Sequence, residues 1–196
     1  LALRDDHAGI LPPHPIVVFD EAHTLEDVAT DHLGVEVSEA QVRICLDSLW
    51  SRKGKGTLLD ERWSAGRAAV EQARSTNEQF WKEVALLAID RAEETMRLTA
   101  PNQVANELSP ALDAVVRMLE AAAAQAEDEN EVAELRSHIG KASALAGGLR
   151  QIVEMQDPEQ VYYATVPRGR GAPSLSGSPL AVGDLLKERL FDATRT

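Results

Sequence analysis

The stretch "EVAELRSHIGKASALAGGLRQIVEM", Glu131 to Met155, decides the fold class. Most of its apolar residues recur three or four positions apart, and this spacing is typical of one face of an α-helix. They are Val132, Leu135, Ile139, Leu145, Leu149, Ile152 and Val153. Pro158 ends the pattern because proline lacks the amide donor that a continuing helix needs. The stretch therefore predicts one long helix with an apolar face to bury against other helices.

The sequence before this stretch predicts three further helical segments. Ser38 and Gln41 have the spacing of a capping box, and they begin a segment that ends at the "KGKG" loop. The apolar face of that helix comprises Val42, Cys45, Leu46, Leu49 and Trp50. The range 59–98 is rich in strong helix formers, with an interruption expected at "STN", and Ser109 with Pro110 suits the start of another helix. Antiparallel packing of these helices predicts a bundle.

After Pro158 the pattern changes to that of β-strands. "VYYATV" and "SLSGSPL" are strand-like, and "PRGRGAP" between them is typical of a turn or loop. Ser178 and Pro179 suit the cap and first residue of a short helix. The apolar face of that helix comprises Val182, Leu185, Leu186 and Leu190. This region therefore predicts a β ribbon followed by a helix.

The start of the chain contains "PIVVFDEAHTLEDVA", Pro15 to Ala29. The range 16–19 is apolar and β-branched without alternation, which is typical of a short strand buried on both faces, as in a parallel sheet. Thr24 offers a hydroxyl that can cap the helix after it. The strand would place Asp20 and Glu21 at the carboxyl end of a sheet, where open α/β sheets bind their ligands.

These residue types at that position favour phosphoryl chemistry. Asp20 can hold Mg²⁺ through water, and the metal ion neutralises the β- and γ-phosphates of a nucleotide. Glu21 can orient and polarise the attacking water, and His23 can sense the γ-phosphate and relay its presence to neighbouring segments. The competing interpretation is that the two acids only cap or solubilise the start of a helix.

Composition limits the classes of function. The chain has 196 residues, of which 44% are hydrophobic and 27% charged, and its formal net charge is -12. No apolar run approaches the roughly 18 residues that would span a membrane, so we expect no membrane partner. The single cysteine, Cys45, excludes an internal disulfide and a multi-cysteine metal site within the chain, and it favours a reducing, cytoplasmic location. The first residues show no secretory leader, and we expect the chain to be part of a longer protein.

Contacts with DNA are expected to be local, because the net charge opposes bulk attraction to a polyanion. Two short basic stretches lie in glycine-containing segments, and Tyr163 adds an aromatic ring whose neighbour Tyr162 faces the opposite side of the strand. The basic candidates for DNA contact are Arg52, Lys53, Lys55, Arg168 and Arg170. Solvated loop charge is the competing interpretation of these stretches.

The motif at the start resembles a known family. "VVFDEAH" is similar to the Walker B, or DEAH, motif of superfamily two helicases, and "FDEAHTLEDVA" resembles the DinG/XPD-like branch in particular. That branch interrupts its first motor domain after the DEAH box with a helical insertion called the arch, which matches the predicted bundle. The closing "SPLAVGDLLKERLF" is similar to the segment that leads back into the motor domain.

The resemblance implies ATP-dependent unwinding of DNA, generally with 5′-to-3′ polarity. It also implies single-stranded or forked DNA as the partner of the whole enzyme, with the single strand passing near the arch. It assigns Asp20 to Mg²⁺, Glu21 to activation of water and His23 to coupling. No "GxxxxGK[ST]" phosphate loop occurs in the 196 residues, so we expect the chain by itself to be inactive. Many members of the branch hold an iron–sulfur cluster on four cysteines, and none is expected within this chain because it has one cysteine.

The sequence therefore predicts a mainly α fold, with a helical, arch-like bundle flanked by short α/β remnants of a RecA-like motor domain. The predicted segments are 1–36 with the DEAH strand, 37–158 as the insertion, and 159–196 as the ribbon and return helix. The alternative functions are a DNA- or protein-binding helical module without ATPase chemistry, and a helical scaffold in which the DEAH letters occur by chance.

Overall fold

Helices and a small antiparallel sheet share one hydrophobic core in the computed structural model, which describes residues 18–50, 64–89 and 93–187. After a 3₁₀ turn at Ala22–Thr24, the elements are α1 Leu25–Leu33, β1 Val35–Ser38, α2 Glu39–Leu49, α3 Ser64–Leu87, β2 Thr95–Arg97, α4 Leu108–Ala123, α5 Glu129–Val153, β3 Gln160–Thr165, β4 Ser174–Pro179 and α6 Val182–Leu186. The mainly helical class predicted from the sequence is confirmed. Among the described residues, no helix combines the length and the apolar character needed to cross a membrane.

Polar caps satisfy the first amide groups of α2 and α5. The predicted capping box is confirmed, because Gln41 N donates to Ser38 Oγ at 3.2 Å and Ser38 N donates to Gln41 Oε1 at 2.8 Å. Asp128 caps α5 by accepting from Asn130 N at 2.7 Å and Glu131 N at 3.1 Å. The decisive helix therefore starts two residues before the predicted boundary, at the residue after its aspartate cap.

Three local predictions are wrong. The helix α3 runs through "STN" without a break, because Asn77 is buried and its Oδ1 accepts from Trp81 Nε1 at 2.9 Å. Thr95–Arg97 forms a strand, although its residues lie in a range predicted to be helical, since pairing with β3 outweighs its helix propensity. Ser178 and Pro179 end β4 instead of starting a helix, and α6 begins at Val182.

The four strands are all antiparallel and lie in the order β1-β4-β3-β2. The predicted ribbon is confirmed as the β3–β4 pair, with Tyr163 opposite Ser176 and Thr165 opposite Ser174. The two outer strands come from distant parts of the chain, and the predicted boundary between 36 and 37 falls inside β1.

The two faces of the sheet differ in character. Its inner face carries a row of buried apolar side chains, one from each strand: Val37, Leu175, Ala164 and Met96. Its outer face carries the adjacent row, which is polar: Glu36, Ser176, Tyr163 and Arg97. Gly148 lets α5 approach the inner face closely, since a Cβ there would lie 3.0 Å from Val37 Cγ2. Among the described residues, α5 thus packs on the inner face, whereas the row on the outer face is polar.

A second, small cluster joins the two ends of the described chain. Ala29 of α1 packs with Val182 and Leu186 of α6. The side chains that support this cluster are Phe19, Leu25 and Leu33. Helices that are far apart in sequence thus pack together, with the rest of the fold inserted between them.

The predicted strand at 16–19 is not observed at its described end. Val18 is 89% exposed, and neither Val18 nor Phe19 belongs to a strand. A strand needs a neighbouring strand to satisfy its backbone, and the described sheet places none beside these residues. Ile16 and Val17 lie outside the described residues.

Candidate functional site

The Asp20–His23 segment, here called the acidic turn, leads directly into α1. Glu21 has a left-handed backbone, with φ 54° and ψ 43°. Its amide donates to Asp20 Oδ1 at 3.0 Å, and its carbonyl accepts from both the amide and the hydroxyl of Thr24 at 3.0 Å each. Thr24 is the residue before α1, as predicted, but its hydroxyl bonds back to the turn and caps no amide of the helix.

The carboxylate and the imidazole of the turn form a pair. Glu21 Oε2 lies 3.2 Å from His23 Nδ1, and the two side chains are 71% and 74% exposed. With a proton on Nδ1, the ring faces the carboxylate with its N–H group and leaves Nε2 as an acceptor for another group. The other oxygen of Glu21 remains available to take a proton from a bound water. Through this pair, the carboxylate of Glu21, as a proton acceptor, can be linked to a group outside the turn that contacts His23 Nε2.

The backbone of Glu21 is unusual for a residue with a side chain. A left-handed conformation costs a non-glycine residue roughly 1–2 kcal/mol. Within the described residues, only Asn102 and Met155 share this feature. The bonds from Asp20 and Thr24 hold the turn in this conformation. Such conformations cluster at functional sites, where the surrounding structure holds them.

The position of the turn depends on the small cluster between α1 and α6. Phe19, immediately before the turn, packs on this cluster, and so does Leu25 immediately after it. The carboxylates of the turn are exposed, whereas the residues on both sides of it are anchored. The turn is thus presented to solvent from an apolar support.

The acidic turn offers carboxylate oxygens that suit Mg²⁺, but it does not supply a complete set of protein ligands. Among the described residues, no group of three or more histidine, cysteine, aspartate or glutamate side chains is arranged to hold a metal ion. Mg²⁺ is commonly bound through one or two carboxylates, with water and substrate phosphates as the remaining ligands. One oxygen of the Asp20 carboxylate accepts a hydrogen bond from the Glu21 amide. The second oxygen would bind such an ion, directly or through water.

The candidates for DNA contact lie away from the acidic turn. Tyr163 is half-buried on the outer face of the sheet, and Arg168 and Arg170 are exposed in the loop between β3 and β4. This loop connects Thr165, at the end of β3, to Ser174, at the start of β4. The helix α6 follows the opposite end of β4, which lies about 17 Å from Ser174 along the strand. The structure does not bring the two sets of residues together. Arg52, Lys53 and Lys55 lie outside the described residues.

One neighbour of Tyr163 was not predicted from the sequence. Arg97 in β2 lies directly opposite Tyr163 in β3, so both side chains belong to the outer face. Its segment was predicted to be helical, and the helical pattern gave no reason to pair it with the ribbon. The hydroxyl groups of Thr95 and Thr165, two residue pairs further along and on the same face, lie 3.1 Å apart. The outer face thus combines one aromatic ring, one guanidinium and a row of hydroxyls.

A buried polar pair joins α2 to α5. His138 Nδ1 lies 3.4 Å from Ser48 Oγ, and that hydroxyl donates to the carbonyl of Cys45 at 2.6 Å. Burial lowers the pKa of His138, and the charge of Lys141 lowers it further, against the opposing effect of Glu134. Burial also raises the pKa of the Cys45 thiol. Since the serine proton is directed at a carbonyl, this pair packs helices together and does not form an activated nucleophile.

No model of a known protein family matches the chain, and no curated protein matches it. The residues that carry a function are therefore identified from their chemistry and their geometry. The acidic turn combines two carboxylates and an imidazole at an exposed site with an unusual backbone. This combination distinguishes it from the other polar segments described above.

Proposed function

We propose that this chain is the DEAH-to-arch part of an ATP-dependent DNA helicase similar to the DinG/XPD-like family. The observation that carries the proposal is the acidic turn itself. Glu21 is held in a left-handed conformation with its carboxylate 3.2 Å from His23, next to an aspartate. A solubilising or capping role needs neither this backbone nor this pair, and Thr24, not the acids, precedes α1.

Each residue of the turn has a role in the proposal. Asp20 holds Mg²⁺ through water, and the ion, when bound with ATP, neutralises charge on the phosphates. Glu21 orients the attacking water and takes its proton. His23, whose Nδ1 lies 3.2 Å from the Glu21 carboxylate, couples the state of that carboxylate to neighbouring segments. Ala22, which is exposed and has a small side chain, leaves room for a nucleotide to approach the turn.

The packing of α1 against α6 supports the arch-like arrangement. Elements from β1 to β4 are inserted between two helices that touch each other, as an insertion in a host domain requires. We assign the segment 1–36 to a RecA-like motor domain, 37–158 to the insertion, and 159–196 to the ribbon and the return helix. The ribbon strands β3 and β4 share a sheet with β1 and β2, and α6 leads back into the motor domain. The phosphate loop that cradles the nucleotide would lie elsewhere in the enzyme, since no such motif occurs in these residues.

Contacts with single-stranded DNA are assigned to the ribbon. Tyr163 offers a ring on which a base can stack, and Arg97 opposite it offers a cation for the backbone. Arg168 and Arg170 extend this surface at the loop. Arg52, Lys53 and Lys55 are proposed as a second local contact. The charge of -12 confines any such contact to these patches.

The proposal is tested by DNA-stimulated ATP hydrolysis in the full-length protein, comparing wild type with Glu21→Gln. The amide keeps the shape of the side chain but cannot take a proton, so kcat should fall by about 10²–10⁴-fold. The affinity for ATP should be retained. The matched control is Glu26→Gln, because Glu26 is also exposed and lies in the first turn of α1, and it should hydrolyse ATP at the wild-type rate.

Equal turnover in the wild type and Glu21→Gln would contradict the catalytic assignment. The protein would then be better described as a binding module without ATPase chemistry, which is the second candidate function. A specific observation favours that candidate: an apolar groove lies beside a strand edge that is unpaired within the described part of the chain. This groove leads to a separate inference.

A further inference from the structure

The strand β1 has one edge that no described residue covers. It pairs with β4 alone, and it is the first strand of the sheet. Glu39 N, one residue beyond β1, donates to the carbonyl of Pro173 at 3.0 Å. Because bonding direction alternates along an antiparallel strand, Val35 and Val37 direct their amides toward β4. The amide and the carbonyl of Glu36 therefore point to the open edge.

The neighbouring amides support this assignment. Gly34 N donates to the carbonyl of Thr30 at 3.0 Å, and Ser38 N donates to Gln41 Oε1 at 2.8 Å. Both amides are directed away from β4, as the alternation requires, and both are satisfied. Among the described residues, the Glu36 amide thus has no bonding partner along this edge. An added strand would find one donor and one acceptor on the same residue.

An apolar groove of about 650 Å³ lies beside this edge, between β1, α2 and α5. Its apolar lining comprises Val35, Val37, Ile44, Cys45, Ala144 and Leu145. Ile44 is 62% exposed, whereas the apolar residues of α2 that pack in the core are buried. An exposed isoleucine on the opposite side of an amphipathic helix has no role in the core. Its apolar surface is available to a partner at the groove.

Charge restricts the chemistry of the partner. Glu36 is exposed on the outer face, where a side chain of an added strand would lie directly beside it. A basic residue at that position is favoured, and the net charge of -12 acts in the same direction. On the groove side, Lys141 disfavours a second basic residue and the lining favours an apolar one. An acidic polymer such as DNA would meet the exposed carboxylate of Glu36 at this edge, which disfavours it.

A second copy of the chain fits this edge less well. Two β1 strands paired in register about a two-fold axis would place Glu36 opposite its own copy. Like charges directly opposite each other destabilise a strand pair. The partner is therefore a different segment.

We propose that the open edge of β1 and the adjacent groove bind an extended segment of a partner protein by β-strand addition. The bound segment alternates apolar residues, which face the groove, with basic residues, which face Glu36. Its backbone pairs with the amide and the carbonyl of Glu36. This site is distinct from the acidic turn, and the proposal requires no ATP hydrolysis.

The first test measures binding of a blocked, fluorescein-labelled peptide of alternating lysine and valine to the 196-residue chain by fluorescence anisotropy. Ile44→Lys should weaken binding by at least about tenfold, because it replaces apolar contact by charge in the groove. The matched control is Leu86→Lys, because Leu86 is 61% exposed and lies on α3, outside the groove. This control should bind the peptide as the wild type does.

The second test uses charge reversal. Glu36→Lys should weaken binding of the lysine–valine peptide and strengthen binding of an alternating glutamate–valine peptide. Amide exchange provides the third readout. On binding, exchange of the Glu36 amide should slow, whereas that of the Val37 amide, already directed at β4, should not change.

Three results would overturn the proposal. One is equal peptide binding by Ile44→Lys and Leu86→Lys. Another is binding that leaves exchange of the Glu36 amide unchanged, since that would place the peptide in the groove without strand addition. The third is concentration-dependent dimerisation that Ile44→Lys abolishes, because the groove would then serve a second copy. Loss of ATPase activity in Glu21→Gln neither supports nor opposes any of these results.

Discussion

The main core and the α1–α6 cluster differ greatly in size, and the acidic turn lies on the smaller of the two. The main core draws buried apolar side chains from every element between β1 and β4. In the small cluster, the buried residues are Ala29, Val182 and Leu186. Most of the hydrophobic free energy of folding must therefore lie in the body of the protein. The acidic turn is attached to the part that can rearrange at the lower cost.

The largest expected effect comes from truncating one leucine in each region. Leu149 is fully buried in α5, so Leu149→Ala should lower the free energy of unfolding by about 2–5 kcal/mol. Leu186→Ala in the small cluster should cost less, on the order of 1 kcal/mol, because a thin cluster collapses around the gap. Urea unfolding followed by circular dichroism measures both. An equal loss of unfolding free energy in the two variants would contradict the proposed difference in stability between the main core and the α1–α6 cluster.

Acid sensitivity should distinguish a buried histidine from an exposed one. Burial holds the pKa of His138 in the folded state below its ordinary value of 6.5, so the unfolded chain binds more protons as the pH falls through that value. The contribution of His138 to stability is therefore unchanged above pH 6.5 and declines below it. Thermal unfolding between pH 7.5 and 5.5 should show a fall in Tm of a few degrees, on the order of 2–5 °C.

The variant His138→Asn should lose part of this pH dependence, because asparagine does not titrate. The matched control is His23→Asn in the acidic turn, where the imidazole is exposed and paired with Glu21. This control should keep the fall in Tm of the wild type. The same residual fall in both variants would mean that carboxylates, not His138, cause the acid sensitivity.

The smallest expected effect compares two adjacent glycines in α5. Gly147 has open space around a Cβ, so Gly147→Ala should stabilise the protein by about 0.5–1 kcal/mol through helix propensity. At Gly148 a Cβ would lie 3.0 Å from Val37 Cγ2 and 3.1 Å from Val35 Cγ2, so the gain should be cancelled or reversed. Chemical denaturation of both variants checks this. Equal gains would mean that the body is packed less tightly against β1 than the distances indicate.

Sequence patterns correctly predicted features that depend on residues close together in the chain. Ser38 and Gln41 cap each other within one turn, and the ribbon strands pair across one short loop. Thr95–Arg97 was predicted incorrectly, because a short strand depends on a partner that lies far away in the sequence. Asp20, Glu21 and His23 were singled out by their type and order. The left-handed backbone of Glu21 was not predicted, because that conformation is uncommon for glutamate.

The sequence by itself determined the helical class, the positions of the long helices and the identity of the acidic turn. Hydrophobic periodicity and helix caps involve residues within one or two helical turns of each other, so they can be read from the amino-acid sequence. Only the tertiary structure decided that α1 meets α6, that Arg97 lies beside Tyr163, and that β1 has an edge next to Ile44 on which no described strand pairs. These features depend on contacts between residues far apart in the chain. No local pattern specifies which distant segments will meet.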